Sequence, residues 1–356
     1  MSGQDYHIEY RSLGRTGVQV SPLCLGCMNF GGRTNEDDSI EIINQAIDAG
    51  INFVDTANVY GYDSTNFPAG EGKSEEIVGK ALKQNGKRHQ IVLATKVHFA
   101  MSDDPNAQGN SRRHIIEQCE ASLRRLQTET IDLYQLHHPS NDVPIDETLR
   151  ALDDLIHAGK VRCIGTSSFA AWQIVESLWI SKEYGLNRFV CEQPSYNLLD
   201  RRIERELVPM AQTYGIALIP FSPTAGGFLT GKYRRGEPLP AESRFKEFWS
   251  GTGKTHLIPA AFDVLDVVEA LAREKSYSPA QLALAWCGQQ PGITSPIVGP
   301  RTMKQLEDCL GTLSVKLTPD DIARLDKAAP PGRLTVPYYG ADGLARTTWG
   351  PHRFRW

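Results

Sequence analysis

Apolar residues in this chain gather into eight short runs: Leu23–Gly26, Asn52–Asp55, Ile91–Lys96, Ile131–His137, Cys163–Thr166, Phe189–Glu192, Ala217–Phe221 and Ser295–Val298. Between them lie polar or glycine-rich stretches and segments whose apolar residues recur three and four apart, the spacing of one helix face. These segments are Ser39–Ala49, Glu75–Leu82, Arg113–Leu126, Ile145–Ala158, Ala170–Tyr184, Ile203–Tyr214, a longer pair within Pro259–Gln289, and Met303–Leu310. Gly50, Gly159, Gly185 and Gly215 stand just past predicted last turns, where a left-handed residue ends a helix, and an apolar run follows each. Nearly all-apolar strands alternating with helices predict a parallel sheet covered on both faces. Eight such units predict an α/β chain folded as a (β/α)8 TIM barrel, which takes about 250 residues plus insertions. A doubly wound sheet would need G-x-G-x-x-G after an early strand, and the chain has none. Ile8–Val20, with Gly14 and Gly17 at its turn, predicts an N-terminal hairpin closing the barrel bottom. No Pro/Ser-rich linker divides residues 1–356, which predicts a single domain. An irregular, extended C-terminal tail rich in Pro, Gly, Tyr and Trp begins at about Ala329.

Composition narrows the classes of function. Of 356 residues, 40% are apolar and 22% charged, which supplies a sizeable core. The 38 Lys+Arg against 42 Asp+Glu are interspersed and sum to −4, so no electrostatic footprint for nucleic acid or an anionic membrane is expected. No apolar run nears the roughly 18–20 residues of a membrane span, and the polar start MSGQDYHIEYR does not resemble a secretory leader. Seven scattered cysteines fit reduced thiols in a cytoplasm better than a disulfide framework.

In such a barrel the reactive groups sit at the C-terminal strand ends and in the loops that follow. The second strand ends in Asp55 with Tyr60 in its loop, the third ends in Lys96, and the fourth ends in His137-His138. Neighbouring strands lie about 4.8 Å apart, so Asp55, Lys96 and His137 are expected side by side, with Tyr60 folding back over them. For any one of them a salt bridge plugging the barrel mouth is the simpler reading. For all four together it is poor, because buried Lys and Asp are expensive unless paired. The chemistry offered is proton donation: Lys96 is expected to lower the phenol's pKa, Asp55 to hold that lysine in place, and His137 to tune the tyrosine and position a carbonyl oxygen. Alternation along the strand turns His138 aside, with substrate lining left open.

The motifs Phe53-Val-Asp-Thr-Ala-Asn-Val-Tyr60-Gly61, Gly72-Lys-Ser-Glu-Glu-Ile-Val-Gly79, Ala94-Thr-Lys96, Ile131-Asp-Leu-Tyr-Gln-Leu-His137, Gly165-Thr-Ser-Ser-Phe169, Glu192-Gln-Pro-Ser-Tyr-Asn-Leu-Leu-Asp200, Pro220-Phe-Ser-Pro223, Gly226-Gly-Phe-Leu-Thr-Gly-Lys232 and Ile297-Val-Gly-Pro-Arg301 occur in that order. Over about residues 8 to 328 the chain resembles the aldo-keto reductase superfamily, and within it the bacterial and potassium-channel-beta-subunit-like branch. The resemblance implies the barrel fold, NADPH/NADP+ as cofactor, and a small-molecule carbonyl substrate. It places the family's catalytic tetrad on Asp55, Tyr60, Lys96 and His137. It places nicotinamide contacts on Ser167, Ser168 and Gln193, with Phe221 stacking on the ring, and further cofactor contacts on Gly26, Met28 and Asp55. Pyrophosphate-loop positions fall on Ser222, Pro223, Thr224, Ala225, Gly226, Leu229, Gly231 and Lys232. Gly299, Arg301, Gln305, Asp308, Cys309 and Arg244 fall at the adenosine and 2′-phosphate end, where Arg side chains suit phosphate. Ser168 stands where many members have Asn, Cys309 where many have Asn, and Asp308 where Glu is commoner.

Other motifs are weaker. Cys24-x-x-Cys27 lacks a second ligand pair for zinc. The stretches Gly70–Ser74 and Gly251–Thr255 mimic a phosphate loop, but Phe67 and Phe248 stand where its first glycine belongs. Arg112-Arg113 and Arg124-Arg125 read as solvated faces of one helix. The expected function is NADPH-dependent reduction of an aldehyde or ketone, with Tyr60 as general acid. A cofactor-loaded auxiliary subunit of a larger assembly is the alternative, a barrel hydrolase a remoter one, and self-association into a homo-oligomer is left open. Substrate choice is expected from the loops Gly61–Gly72, Val97–Asn110 and Arg234–Thr255, and from Tyr338, Tyr339, Trp349 and Trp356 in the tail.

Overall fold

All eight apolar runs are strands. A computed structural model describes residues 8–62, 71–248 and 257–336. After the antiparallel hairpin β1 (Arg11–Ser12) and β2 (Gln19–Val20) come β3 (Cys24–Gly26), β4 (Phe53–Asp55), β5 (Val92–Val97), β6 (Ile131–Leu136), β7 (Val161–Ser167), β8 (Phe189–Gln193), β9 (Ala217–Leu218) and β10 (Ile297–Val298). These eight pair in parallel in the order β10-β3-β4-β5-β6-β7-β8-β9. The ring closes through a parallel bridge between Leu218 and Ile293 and through amide bonds from Thr294 to the Leu218 carbonyl and from Ile297 to the Pro220 carbonyl, both 2.8 Å. The protein is a (β/α)8 barrel.

Helices α1 (Glu36–Asp48), α2 (Lys73–Asn85), α3 (Arg112–Arg125), α4 (Ile145–His157), α5 (Ala171–Tyr184) and α6 (Leu207–Tyr214) follow successive strands, and α10 (Met303–Gly311) follows β10. Between β9 and β10 lie α7 (Arg244–Phe248), α8 (Pro259–Glu274) and α9 (Pro279–Gln289). Gly50, Gly159, Gly185 and Gly215 all adopt the expected positive φ. The segment Ile203–Tyr214 is not one helix: a single 3-10 turn, Arg202–Arg205, precedes α6. A further helix, α11 (Pro319–Ala328), is started by Thr318, whose hydroxyl accepts the Asp321 amide while the Asp321 carboxylate accepts the Thr318 amide. The pattern above does not mark it, because only Ile322 and Leu325 among its inward residues are strongly apolar, with Ala328 the next position on that face.

Strand alternation divides the core in two. Cys24, Phe53, Ala94, Leu133, Cys191 and Ala217 face into the barrel and meet Leu13 and Val20 of the hairpin, which plug its bottom as expected. Val54, Leu93, Tyr134, Leu136 and Ile164 face outward against the helices. Residues 329–336 contain no helix. They are strapped to the segment after β8: the Arg201 amide bonds the Arg333 carbonyl, and the Thr335 and Val336 amides bond the Leu199 carbonyl. Tyr338, Tyr339, Trp349 and Trp356, Phe67, the stretch Gly251–Thr255 and most of the loop after Gly61 lie outside the described residues. Among the described residues, no helix is long and apolar enough to cross a membrane.

Helix α2 packs on α3 through Gly79, where a Cβ would stand 2.6 Å from the Arg125 carbonyl oxygen and the Leu126 carbonyl carbon. Buried Glu75, bonded to Arg125 at 2.6 Å, stops the helices from separating. Gly79→Ala would gain about 1 kcal/mol of helix propensity, but a clash with two backbone atoms that cannot swing away falls in the upper part of the overpacking range, about 2–3 kcal/mol. Gly79→Ala is therefore expected to lower the urea midpoint, by about 1–2 kcal/mol of stability. An unchanged or higher midpoint would contradict this packing.

Candidate active site

Four side chains from three consecutive strand ends meet at the barrel mouth. Asp55 closes β4, and the alternation that points Phe53 inward points Asp55 inward too. Lys96 faces in from β5 two residues beyond Ala94, which sits in register with Asp55. Lys96 has no exposed surface and Asp55 is 2% exposed. The lysine Nζ donates to Asp55 Oδ2 at 2.5 Å, to the Thr56 carbonyl at 2.9 Å, and to Tyr60 Oη at 3.4 Å. The other carboxylate oxygen, Asp55 Oδ1, accepts the side-chain amides of Gln135 at 3.0 Å and Gln193 at 3.1 Å. A buried charge is tolerated only when so bonded.

Tyr60 sits in the turn after β4. Its amide donates to the Ala57 carbonyl, and its carbonyl accepts the Ser74 amide from the first turn of α2. His137 follows β6 directly, its amide bonded to the Val97 carbonyl, and its Nε2 lies 3.3 Å from Tyr60 Oη. Burial, then the positive charges nearby, hold the His137 imidazole far below its ordinary pKa, so it is neutral at neutral pH.

Two expectations need correction here. Tyr60 is not acidified: burial, and after it the Asp55 carboxylate, push its phenol above the ordinary value, with Arg244 pulling weakly the other way. Desolvation of a buried phenolate outweighs the neighbouring cations. His138 is not turned aside: its ring stacks on His137 with centroids 5.5 Å apart and planes 10° apart. Both histidines lie beyond the last β6 residue, where strand alternation no longer applies. Phe99 meets both edge-on, His98 meets His138, and Tyr62 meets Tyr60. Burial, followed by His98, holds the His138 pKa down to about 3. The result is an aromatic wall of neutral rings beside Tyr60.

The other predicted site residues lie over the ends of β7–β10. Ser167 Oγ donates to the Gln193 carbonyl at 2.9 Å, and the Ser168 amide does so at 3.2 Å. The Phe221 amide bonds the Pro194 carbonyl, and the Ser222 carbonyl accepts the Asn197 side chain. The 3-10 turn Ala225–Thr230 then runs through positive φ at Ala225, Gly226 and Gly227, and Gly231 ends it, also at positive φ. Pro223 and Leu229 are buried, and the Thr224 carbonyl accepts the Gly227 and Leu229 amides. Gly26 abuts Ile297, where a Cβ would stand 2.5 Å from Ile297 Cγ2, and the Gly299 carbonyl accepts Asn29.

At the far end Arg244 reaches Met28 Sδ at 3.7 Å, and Arg301 bonds the Glu242 carbonyl. Arg33, from the loop after β3, bonds the same carbonyl and forms an ion pair with Glu247 at 2.6 Å. Partial burial, then the charges of Arg301, Arg33 and Arg244, push Lys232 down to about 8. Four cations thus crowd around one carboxylate, an arrangement that fits a phosphate-bearing dinucleotide. Gln305 accepts the Arg301 amide, whereas Asp308 is bonded to Ser278, the N-cap of α9, and faces that helix. Cys309 is a partly buried thiol pushed up to about 12 by burial.

Sequence reasoning missed Arg33 and Gln135. Gln135 lies on the inward face of β6 between Leu133 and His137, so a polar residue breaking an apolar alternation was the available signal. Arg33 lies in a loop and carried none. Arg125 also departs from its expected solvated role, being largely buried against Glu75. Cys24 and Cys27 are buried free thiols pushed well up by burial. Among the described residues no three His, Cys, Asp or Glu side chains cluster as metal ligands would.

Residues 22–330 match the aldo/keto reductase family. The chain belongs to that family. It is 38% identical to an uncharacterized oxidoreductase, YrpG, of Bacillus subtilis (strain 168), over 93% of this chain and 99% of the relative. It is 36% identical to a versiconal hemiacetal acetate reductase of Aspergillus parasiticus, over 91% of this chain and 98% of the relative. It is 34% identical to a probable voltage-gated potassium channel subunit beta of Oryza sativa subsp. japonica, over 90% and 96%. This aldo/keto reductase is therefore an oxidoreductase of small carbonyl compounds that uses a nicotinamide cofactor.

Lys96→Met leaves Asp55 buried without its cation, and breaking one side of a buried pair costs about 3–5 kcal/mol. Urea unfolding is expected to show that loss, with Asp55→Asn added to Lys96→Met recovering part of it. A Lys96→Met protein as stable as the wild type would contradict the burial of the pair.

Proposed function

We propose that this protein is an NADPH-dependent reductase that converts an aldehyde or ketone to the alcohol, with Tyr60 as the proton donor. The observation that carries the reading is the position of Tyr60 Oη, 3.4 Å from Lys96 Nζ and 3.3 Å from His137 Nε2 at the barrel mouth. A reduced nicotinamide, when bound, supplies a hydride to the carbonyl carbon. Tyr60 then gives its proton from Oη to the carbonyl oxygen, as a general acid must. Its raised pKa keeps that proton in place at neutral pH. Lys96 donates to the phenol oxygen, and His137 does the same in its Nε2–H tautomer, so both stabilise negative charge forming on Tyr60. That tautomer also leaves His137 Nδ1, which has no partner among the described residues, as an acceptor rather than a stranded donor.

Ser167, Ser168, Gln193 and Phe221 take the nicotinamide end, with Gly26, Met28 and Asp55 beside it, and the turn from Ser222 to Lys232 takes the pyrophosphate. Arg301 and Arg244, joined by Arg33, favour the 2′-phosphate and hence NADPH over NADH. Gln305 supports Arg301, and Gly299, Asp308 and Cys309 border the adenosine end. The aromatic wall supports a carbonyl compound bearing a ring. The free state of all seven cysteines supports a cytoplasmic site.

An auxiliary role beside another subunit is the second reading. It is favoured by the name of the rice relative and by Trp172 and Trp179, 45% and 66% exposed on α5.

Tyr60→Phe is expected to cut turnover with a panel of aldehydes and ketones by about 10²–10⁴-fold, while NADPH affinity by fluorescence titration stays within about twofold. Near-normal turnover would remove Tyr60 as the acid. Arg301→Ala is expected to weaken NADPH by about 10–100-fold, the scale of a hydrogen bond between charged groups, and NADH by far less. Equal losses for the two cofactors would separate Arg301 from the 2′-phosphate.

A further inference from the structure

Glu192 is the penultimate residue of β8, between Cys191 and Gln193, both of which face into the barrel. It therefore faces outward, behind the site, and has no exposed surface. A carboxyl group so placed is costly unless its oxygens are bonded, and every donor bonded to it comes from one short stretch. Thr166 Oγ1 donates to Oε2 at 2.5 Å, and the Phe169 amide donates to Oε1 at 3.1 Å. These donors flank Ser167 and Ser168, and Ser168 holds φ +62, a left-handed conformation that costs a non-glycine residue unless its surroundings fix it.

Glu75 on α2 provides a contrast. It accepts the Thr95 hydroxyl at 2.5 Å behind β5, yet it is neutralised by Arg125 and ties two helices together. Glu192 makes no ion pair among the described residues, and burial pushes its carboxyl up to about 8. The molecule thus carries a buried carboxyl group without a cation partner among the described residues at the back of one turn.

We propose that Glu192 is a positioning residue of the nicotinamide site: it fixes the Ser167–Phe169 turn from behind, so that Ser167 and Gln193 on the inward side hold the geometry that takes up the cofactor's amide-bearing ring. This rests on the nicotinamide placement proposed above.

The test uses the full chain as wild type, Glu192→Ala, Glu192→Gln, Thr166→Val and Glu75→Gln. NADP+ and NADPH affinities are read by fluorescence titration, beside melting temperature and the separate kcat and KM values. Glu192→Ala is expected to weaken both cofactors about tenfold or more. Glu192→Gln, whose side-chain oxygen still accepts the Phe169 amide, stays within about threefold. Thr166→Val, which removes one hydrogen bond without changing shape, weakens cofactor about two- to tenfold. Glu75→Gln lowers the melting temperature and leaves cofactor affinity alone. If Glu192→Ala and Thr166→Val lower only the melting temperature, Glu192 is a structural acid and the proposal falls. Should Glu192→Ala fail to fold, Thr166→Val decides by itself. A folded wild type that takes up neither cofactor overturns the nicotinamide placement and this proposal together, and is told apart because the failure precedes any substitution.

Discussion

A lysine without exposed surface closes on an aspartate that has almost none, and the rest of the barrel mouth is arranged around that pair. Removing both charges from water is costly, and their attraction repays it only if the remaining valences are filled. They are filled here by the Thr56 carbonyl, the Tyr60 hydroxyl and the amides of Gln135 and Gln193. Four strands, β4, β5, β6 and β8, thus contribute to one network, which ties the registers of the sheet to the position of a single phenol. The strand ends cannot shift independently without leaving a buried polar group unmet.

Alternation along the strands explains how the scaffold carries this load. Inward residues form the polar network at the barrel mouth: Asp55, Lys96, Gln135 and Gln193, with Ser167 bonded to the Gln193 carbonyl. Their immediate outward neighbours provide its support. Thr166 and Glu192 bond each other, while Thr95 bonds Glu75, whose ion pair with Arg125 holds α2 against α3. Tyr134, one residue before Gln135, bonds the Ile115 carbonyl of α3. Gln135, Ser167 and Gln193 are thus each backed by a hydrogen bond one residue away in sequence and on the opposite face of the sheet. That is the arrangement a preorganised site requires, with positions fixed before a substrate arrives.

The eight strands were legible because each is an apolar run bounded by helix signals, and the helix-ending glycines because left-handed residues end helices in few other ways. Asp55, Lys96 and His137 were legible as polar residues closing apolar strands, and Tyr60 as the phenol in the loop after Asp55. Other features were not, for identifiable reasons. His138 escaped because alternation ends with the strand, one residue before the pair. Arg33 sits in a loop whose partner, Glu247, lies more than two hundred positions away, and no local pattern encodes such an encounter. The sign of the Tyr60 shift escaped because proximity to Lys96 can be inferred from strand neighbours, whereas full desolvation depends on everything packed around the ring. Arg125 misled for the same reason: a charged residue on a helix face is solvated only if no buried carboxylate meets it.

The account turns on a phenol that keeps its proton while an ammonium and an imidazole bond its oxygen. The most direct test is a titration of Tyr60 in the full chain, labelled with carbon-13 at the tyrosine ring carbon bearing the hydroxyl, with Tyr60→Phe used to assign its resonance. An ordinary tyrosine is half ionised near pH 10. The account predicts that the Tyr60 signal still reports a neutral phenol at that pH. Ionisation of Tyr60 below about pH 9 would contradict it, because the cations around the ring would then outweigh its burial.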